Sequence, residues 1–225
     1  NTTGGQNNTA DSGKSDTGNS GTSSGNTEIA YDDDGVLDIG YATLIESLTP
    51  FRGNTLRNAP YITQLWEPLA VLNENRQMEP MVAKSWVSND DGFTYDIEIF
   101  DYVTDSAGNK ITASDIVWFI EESIARALKP VFAKVESVEQ TGDYSLRIKL
   151  KSNIVGTFES ILRDTFAISK TAFEASADEF ATTLISTSPY KVTEFTANST
   201  LTFEKRDDYW QDLDKMPKCV RPEVK

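Results

Sequence analysis

The chain has 225 residues, which is enough for one large or two small domains, and its 21 basic and 35 acidic side chains give a formal net charge of −14. This acidic balance argues against a nucleic-acid surface, which needs clustered Lys and Arg. The single cysteine, Cys219, excludes an internal disulfide, and the absence of histidine removes the commonest general base and metal ligand. No apolar run approaches the roughly 20 residues that span a membrane.

Residues 1–30 consist mainly of Gly, Ser, Thr and Asn and contain almost nothing apolar. Such a segment cannot bury a core, so we predict that it is disordered. Composition alone describes it only as a linker. Order is expected to begin near residues 31–35, followed by a short strand at residues 36–41 and a helix at Ala59–Leu65.

A β-hairpin is predicted in the next part of the chain, around a turn at residues 89–92. Asp-Gly favours a tight turn because these residues tolerate positive φ. Residues 82–87 are predicted to form the first strand. In the second strand, polar residues alternate with four apolar ones, which predicts one buried face: Phe93, Tyr95, Ile97 and Ile99.

A helix is predicted to follow a second turn at residues 106–109. It should begin after Thr112, whose hydroxyl can cap the first turn while the Asp115 carboxylate reaches back to the cap residue. The apolar spacing carries the helix to about Leu128, and Pro130 marks its end. A second hairpin is predicted from residues 134–139 and 145–150, and a further helix from residues 158–162.

Several short motifs occur in order along this part of the chain. They are Leu48-Thr49-Pro50, Trp66-Glu67-Pro68-Leu69, Pro80-Met81-Val82-Ala83-Lys84-Ser85-Trp86, Asp90-Asp91-Gly92-Phe93-Thr94-Tyr95, Gly108-Asn109-Lys110-Ile111-Thr112-Ala113-Ser114-Asp115-Ile116, Ser188-Pro189-Tyr190 and Asp208-Tyr209-Trp210. Together they resemble the extracellular solute-binding proteins of peptide/nickel-type ABC transporters, family 5, which include dipeptide- and oligopeptide-binding members. The chain departs from the family pattern at Thr49, where an Asp is usual, and at Ser186 and Ser188, where glycines are usual.

The resemblance implies an α/β fold with mixed sheets and helices, of the type II periplasmic-binding-protein class. Residues 31–66 and 170–225 would form the first part of lobe I, and residues 67–169 a subdomain inserted into it. Family members are typically about twice as long, so the resemblance implies an N-terminal lobe without the second lobe of the clamshell. Residues 1–30 would then be the tether of a lipoprotein whose signal peptide and lipidated cysteine have been removed.

The function implied is capture of a peptide, or a related small solute, for import through an ABC permease in the membrane. The protein would lie on the extracellular face of a Gram-positive cell or in a periplasm. In the family, the residues shortly after the proline of the Leu48-Thr49-Pro50 motif line the ligand cleft. By spacing this implies Asn54, Thr55 and Leu56, with Trp66 and Glu67 as further ligand-binding candidates.

Two other function classes stay open on the residues alone. An enzyme is disfavoured because no His, no metal-spaced Cys cluster and no Gly-x-Ser-x-Gly motif nominates a site, so no catalytic residue, metal or cofactor is predicted. A truncated or remnant binding domain, acting as an interaction module outside transport, is the alternative to a working receptor. Oligosaccharide and metal chelate are the alternative ligands, and Tyr209 and Trp210 are expected to pack in the core.

Overall fold

The structure is a computed structural model that describes residues 45–51, 59–89, 91–152, 154–183 and 185–211. Its helices and strands follow one another along the chain as α1 (Ala59–Leu65), β1 (Ala70–Leu72), β2 (Met78–Pro80), β3 (Ala83–Ser88), β4 (Thr94–Ile99), α2 (Ala113–Ala125), β5 (Val135–Gly142), β6 (Ser145–Leu150), α3 (Thr157–Asp164), α4 (Lys170–Ala175), β7 (Tyr190–Thr196) and β8 (Thr200–Lys205), with a 3₁₀ turn at Phe132–Lys134 before β5. The mixed α/β class predicted from the sequence is confirmed. The predicted strand at residues 36–41 lies outside the described residues.

A four-stranded antiparallel sheet, in the order β3-β4-β6-β5, forms the centre of the described fold. Both predicted hairpins are confirmed, since β3 pairs with β4 and β5 pairs with β6. The predicted alternation in β4 is correct for Ile97 and Ile99, which are buried, but wrong for Phe93, which is 38% exposed. The cause is the Asp91 carboxylate, which accepts the backbone N–H groups of Phe93 and Thr94 at 2.8 Å each and keeps Phe93 in the turn.

One face of this sheet packs against α2, mainly through β5 and β6, and both contribute to the hydrophobic core. The side chains that meet there are fully or almost fully buried: Ile97, Ile99, Ile116, Phe119, Ile120, Leu146, Ile148 and Leu150. Burial of each such side chain contributes about 1.5–3 kcal/mol to stability. The apolar residues that recur at every second position in the strands therefore pack into the same core as those at helical spacing in α2.

Helix α2 begins where the sequence predicts, because Thr112 and Asp115 form a capping box. The Thr112 N–H donates to the Asp115 carboxylate at 2.8 Å. The predicted end at about Leu128 is wrong by three residues, since the helix ends at Ala125. Ala127 adopts a left-handed conformation with φ of 49°, and the Leu128 N–H turns back to the Ser123 carbonyl at 2.9 Å.

The remaining elements are two short antiparallel pairs and three small helices. Strands β1 and β2 pair with each other, as do β7 and β8. The predicted helix at residues 158–162 is confirmed as α3, and α1 has the predicted bounds. No helix in the described part of the chain is both long and apolar enough to cross a membrane.

Candidate functional site

Three of the candidate ligand-binding residues follow Phe51, whose ring is buried in the core. Asn54, Thr55 and Leu56 lie outside the described residues. Phe51 is the last described residue before them, and only 8% of it is exposed. Its ring contacts three aromatic rings at centroid distances of 5.1–5.6 Å: those of Trp118, Phe119 and Phe173. Ligand contact by Asn54, Thr55 and Leu56 stays a prediction.

Trp66 and Glu67, the other two candidates, are both completely buried. The indole of Trp66 stacks on the Phe180 ring with a centroid distance of 5.6 Å and an interplanar angle of 9°. The indole N–H of Trp66 has no hydrogen-bond partner among the residues that the structure describes. The structure therefore places both residues inside the core, and their contact with a ligand also stays a prediction.

Glu67 joins three parts of the chain that are distant in sequence. Its carboxylate accepts the Tyr209 hydroxyl at 2.9 Å, and its carbonyl accepts the Ala167 N–H at 2.9 Å. Its own N–H donates to the Thr187 hydroxyl at 3.0 Å. The Trp-Glu-Pro-Leu motif is thus hydrogen-bonded to the segment before β7 and to the segment after β8.

Thr187 takes part in the same hydrogen bonds, and its only signal in the sequence is that it directly precedes the Ser188-Pro189-Tyr190 motif. Its hydroxyl donates to the Ala167 carbonyl at 3.0 Å, and its carbonyl accepts the Trp210 indole N–H at 2.9 Å. Trp210 is 7% exposed, as expected for a residue of the core. The segment 186–188, where serines replace the usual glycines, is fully buried.

A cavity of about 230 Å³ lies directly beside Phe51. The described residues that line it come from three separate segments: Ser47, Thr49, Phe51, Arg126, Asp178, Glu179 and Ala181. The Leu48 N–H donates to the Ala181 carbonyl at 2.9 Å, which holds two of these segments together. Phe51, which lines this cavity, precedes Asn54 by three positions in the sequence.

Arg126 is the only cation among the described residues that line this cavity, and it is held on several sides. Its Nε donates to Glu122 at 2.7 Å, and its two terminal nitrogens donate to Glu179 at 3.0 Å each. Its guanidinium lies 4.8 Å above the centre of the Phe51 ring. Donation to the carboxylates of Glu179 and Glu122 raises the pKa of Arg126, and acceptance of hydrogen bonds from Arg126 lowers the pKa of Glu179.

Asp178 is held by its own turn rather than by a cation. Its carboxylate accepts the hydroxyls of Thr182 at 2.6 Å and Ser176 at 2.8 Å, and these bonds lower its pKa. Sequence reasoning missed Arg126, Asp178 and Glu179 as a group. No local pattern signals it, because Arg126 and Glu179 are 53 positions apart.

A second, larger and shallower groove of about 490 Å³ lies at one end of the sheet. It is lined by Lys84, Glu98, Ile99, Phe100, Asp101, Tyr102, Tyr144 and Ser145. Lys84 and Glu98 form an exposed ion pair at 3.6 Å across its rim. Neither Trp66 nor Glu67, the two candidate residues that the structure describes, lines this groove. No group of three or more His, Cys, Asp or Glu side chains able to hold a metal occurs among the described residues.

The chain matches the bacterial extracellular solute-binding proteins, family 5 middle, over residues 77–220, which is more than half of its length. The chain belongs to this family. A curated relative, the oligopeptide-binding protein AppA of Bacillus subtilis, is 25% identical over 186 residues, which cover 77% of the chain and 33% of AppA.

Several solved structures share the fold. The substrate-binding domain of an oligopeptide ABC transporter from Bacillus anthracis has a TM-score of 0.71 at 14% identity, covering 78% of this chain and 38% of that one. MoaA of A. tumefaciens R10, in complex with mannopinic acid, has a TM-score of 0.67 at 21% identity, covering 74% and 36%. The chain thus spans about a third of the length of these relatives. The shared fold confirms the predicted periplasmic-binding-protein-like class.

Proposed function

We propose that this family 5 chain is part of the substrate-binding component of an ABC transporter and captures peptides or related small solutes for import. The match over residues 77–220 is the observation that supports this most strongly. The relative AppA of Bacillus subtilis is an oligopeptide-binding protein by name, and one of its solved structures holds a nonapeptide. Family 5 proteins are solute-binding proteins, so no catalytic role is proposed.

The proposed ligand-binding residues are Asn54, Thr55 and Leu56, with Trp66 and Glu67 as further candidates. Trp66 and Glu67 are both fully buried. Solutes in such sites are bound in a cleft that excludes most water and uses a few polar groups for orientation. Extended peptides are held mainly through their backbone hydrogen bonds.

The proposed arrangement in the cell places the protein outside the membrane, next to a permease. Residues 1–30 would act as the tether to a lipid anchor, which their composition suits. Residues 31–66 and 170–225 would form the first part of lobe I, with residues 67–169 inserted as a subdomain. Fractionation of the source cells tests the anchor, since recovery of the protein in the soluble fraction alone would contradict it.

Titration calorimetry with the full chain tests the binding function. Short peptides are expected to bind, and Asn54→Ala or Leu56→Ala is expected to weaken binding several-fold. Asn75→Ala is the matched control, because Asn75 is exposed in the loop between β1 and β2. Binding only to oligosaccharides or to metal chelates would replace the peptide by those ligands. No binding to any of the three classes would refute the proposal.

A further inference from the structure

The groove at the end of the four-stranded sheet combines aromatic rings with polar side chains. Three of the residues that line it are aromatic: Phe100, Tyr102 and Tyr144. Its volume of about 490 Å³ lies within the range of about 300–1,000 Å³ that is usual for small-molecule sites. A groove of this size and lining suits a small ligand that has both an apolar face and polar groups.

Tyr102 forms one side of the groove and is fixed from behind. It is 41% exposed, although its ring contacts two other rings. The ring centroids of Phe100 and Trp210 lie 5.1 Å and 6.1 Å from that of Tyr102. Trp210 is itself anchored, because its indole N–H donates to the Thr187 carbonyl at 2.9 Å. A ligand that packs on the exposed part of Tyr102 therefore has little side-chain entropy to remove.

Tyr144 forms another side and is held by two contacts. Its carbonyl accepts the Ile99 N–H at 2.9 Å, which ties it to the end of β4. Lys110 lies 5.8 Å from the centre of the Tyr144 ring, and its Nζ donates to the Tyr144 hydroxyl at 3.4 Å. The aromatic sides of the groove are thus in place before any ligand arrives.

Charges of both signs surround the groove, and they favour an uncharged ligand. Lys84 forms an exposed ion pair with Glu98 at 3.6 Å, and Asp101 supplies a second carboxylate. Lys84 and Lys110 would repel a cation, whereas the two carboxylates would repel an anion. Together with the Ser145 hydroxyl, these side chains offer both donors and acceptors of hydrogen bonds.

A sugar has the matching chemistry, because a pyranose ring carries C–H groups on its faces and hydroxyl groups around its edge. The C–H face packs on an aromatic ring, and each hydroxyl both donates and accepts a hydrogen bond. We propose that this groove binds a neutral saccharide, with Tyr102 as the packing surface and the charged side chains as hydrogen-bond partners. This site is additional to the proposed capture of a solute for import, since neither Trp66 nor Glu67 lines the groove.

The substitution Tyr102→Leu tests the site, because leucine keeps apolar contact with Phe100 and Trp210 but has no flat ring. The full isotope-labelled chain is titrated by NMR with cellobiose, a neutral disaccharide, and with putrescine and inorganic phosphate as charged probes. Phe93→Leu is the matched control, since Phe93 is 38% exposed and precedes β4, whereas Tyr102 follows it. Asp101→Ala is a second variant, at an exposed position outside the core.

We expect cellobiose to shift the amide signals of residues 98–102 and 144–145. Tyr102→Leu is expected to weaken cellobiose binding about fivefold, because the packing surface is lost. Asp101→Ala is expected to weaken it as well, through the loss of a hydrogen-bond acceptor, with an unchanged melting temperature. Tyr102→Phe, which keeps the ring, and Phe93→Leu are expected to bind cellobiose as the wild type does.

The opposite results would overturn the site. They are equal affinity of the wild type, Tyr102→Leu and Asp101→Ala for cellobiose, the absence of any shift at millimolar cellobiose, or tighter binding of putrescine or phosphate. Peptide binding separates this inference from the proposed function, since Tyr102→Leu should bind peptides as the wild type does. Loss of peptide binding in Tyr102→Leu would assign the groove to the imported solute and overturn an additional site.

Discussion

Arg206 provides the sharpest test of how the described segments are held together. Its side chain has no exposed surface, and its guanidinium donates to four backbone carbonyls: those of Asp105 at 3.0 Å, Ser186 at 3.1 Å, Ser188 at 3.3 Å and Asp208 at 3.4 Å. Its Nε donates to the Asp208 carboxylate at 2.9 Å. Replacement of Arg206 by methionine keeps most of the apolar stem and removes every one of these donors.

The loss of stability expected for Arg206→Met depends on which carbonyls keep another hydrogen-bond donor. The carbonyls of Asp105 and Ser186 retain one donor each, the N–H groups of Gly108 and Ser106. The Ser188 carbonyl, in a fully buried residue, loses its donor, which costs about 1–3 kcal/mol. The lost charged hydrogen bonds add to this cost, and the relief of a buried charge partly offsets them. We expect Arg206→Met to lower the free energy of unfolding by about 3–5 kcal/mol.

Urea unfolding of the purified chain, followed by tryptophan fluorescence, measures this change. Arg147→Met is the control, because Arg147 forms an ion pair with Asp96 at 2.7 Å but is 43% exposed, and such pairs contribute about 1 kcal/mol or less. The urea midpoint is compared at constant slope, so that a change in the unfolded state is not mistaken for a stability change. A loss for Arg206→Met no larger than that of the control would refute the reasoning.

Three further predictions concern other parts of the fold. Thr187→Val should lower the free energy of unfolding by about 2–4 kcal/mol, since it removes both hydrogen bonds of a buried hydroxyl, whereas Thr193→Val on an exposed strand should change it by less than about 1 kcal/mol in the same urea assay. Ala127→Gly should raise the melting temperature, because glycine adopts a φ of 49° without strain; a lower melting temperature would contradict this. Glu179 has a pKa lowered from its usual 4.5 by Arg126, so its stabilising effect is present above pH 4.5 and is lost as the pH falls below that value. The wild-type urea midpoint should therefore fall more steeply than that of Glu179→Gln between pH 5 and pH 3, and parallel curves would argue against this pair.

The local features of this chain were predictable because neighbouring residues determine them. The Asp-Gly turn, the capping box of Thr112 and Asp115, and the bounds of α1 depend on residues a few positions apart. The two wrong predictions, the burial of Phe93 and the end of α2, also have local causes, which only the structure revealed. Asp91 holds Phe93 in the turn, and the left-handed Ala127 ends α2 early.

The candidate site was only partly predictable, because its contacts join distant segments. The order of motifs identified Trp66 and Glu67, but periodicity could not show that Glu67 bonds to Tyr209, 142 positions away. Likewise, composition could not reveal that Arg126 meets Glu179. Such pairings depend on how the elements pack, and packing is a property of the whole fold.

The sequence by itself determined the family, the α/β class and most of the strands and helices, since these follow from short motifs and from hydrophobic periods of two and 3.6 residues. The tertiary structure decided which polar groups meet in the interior. The physical reason is that a buried polar group needs a partner within about 3 Å, wherever in the chain that partner lies.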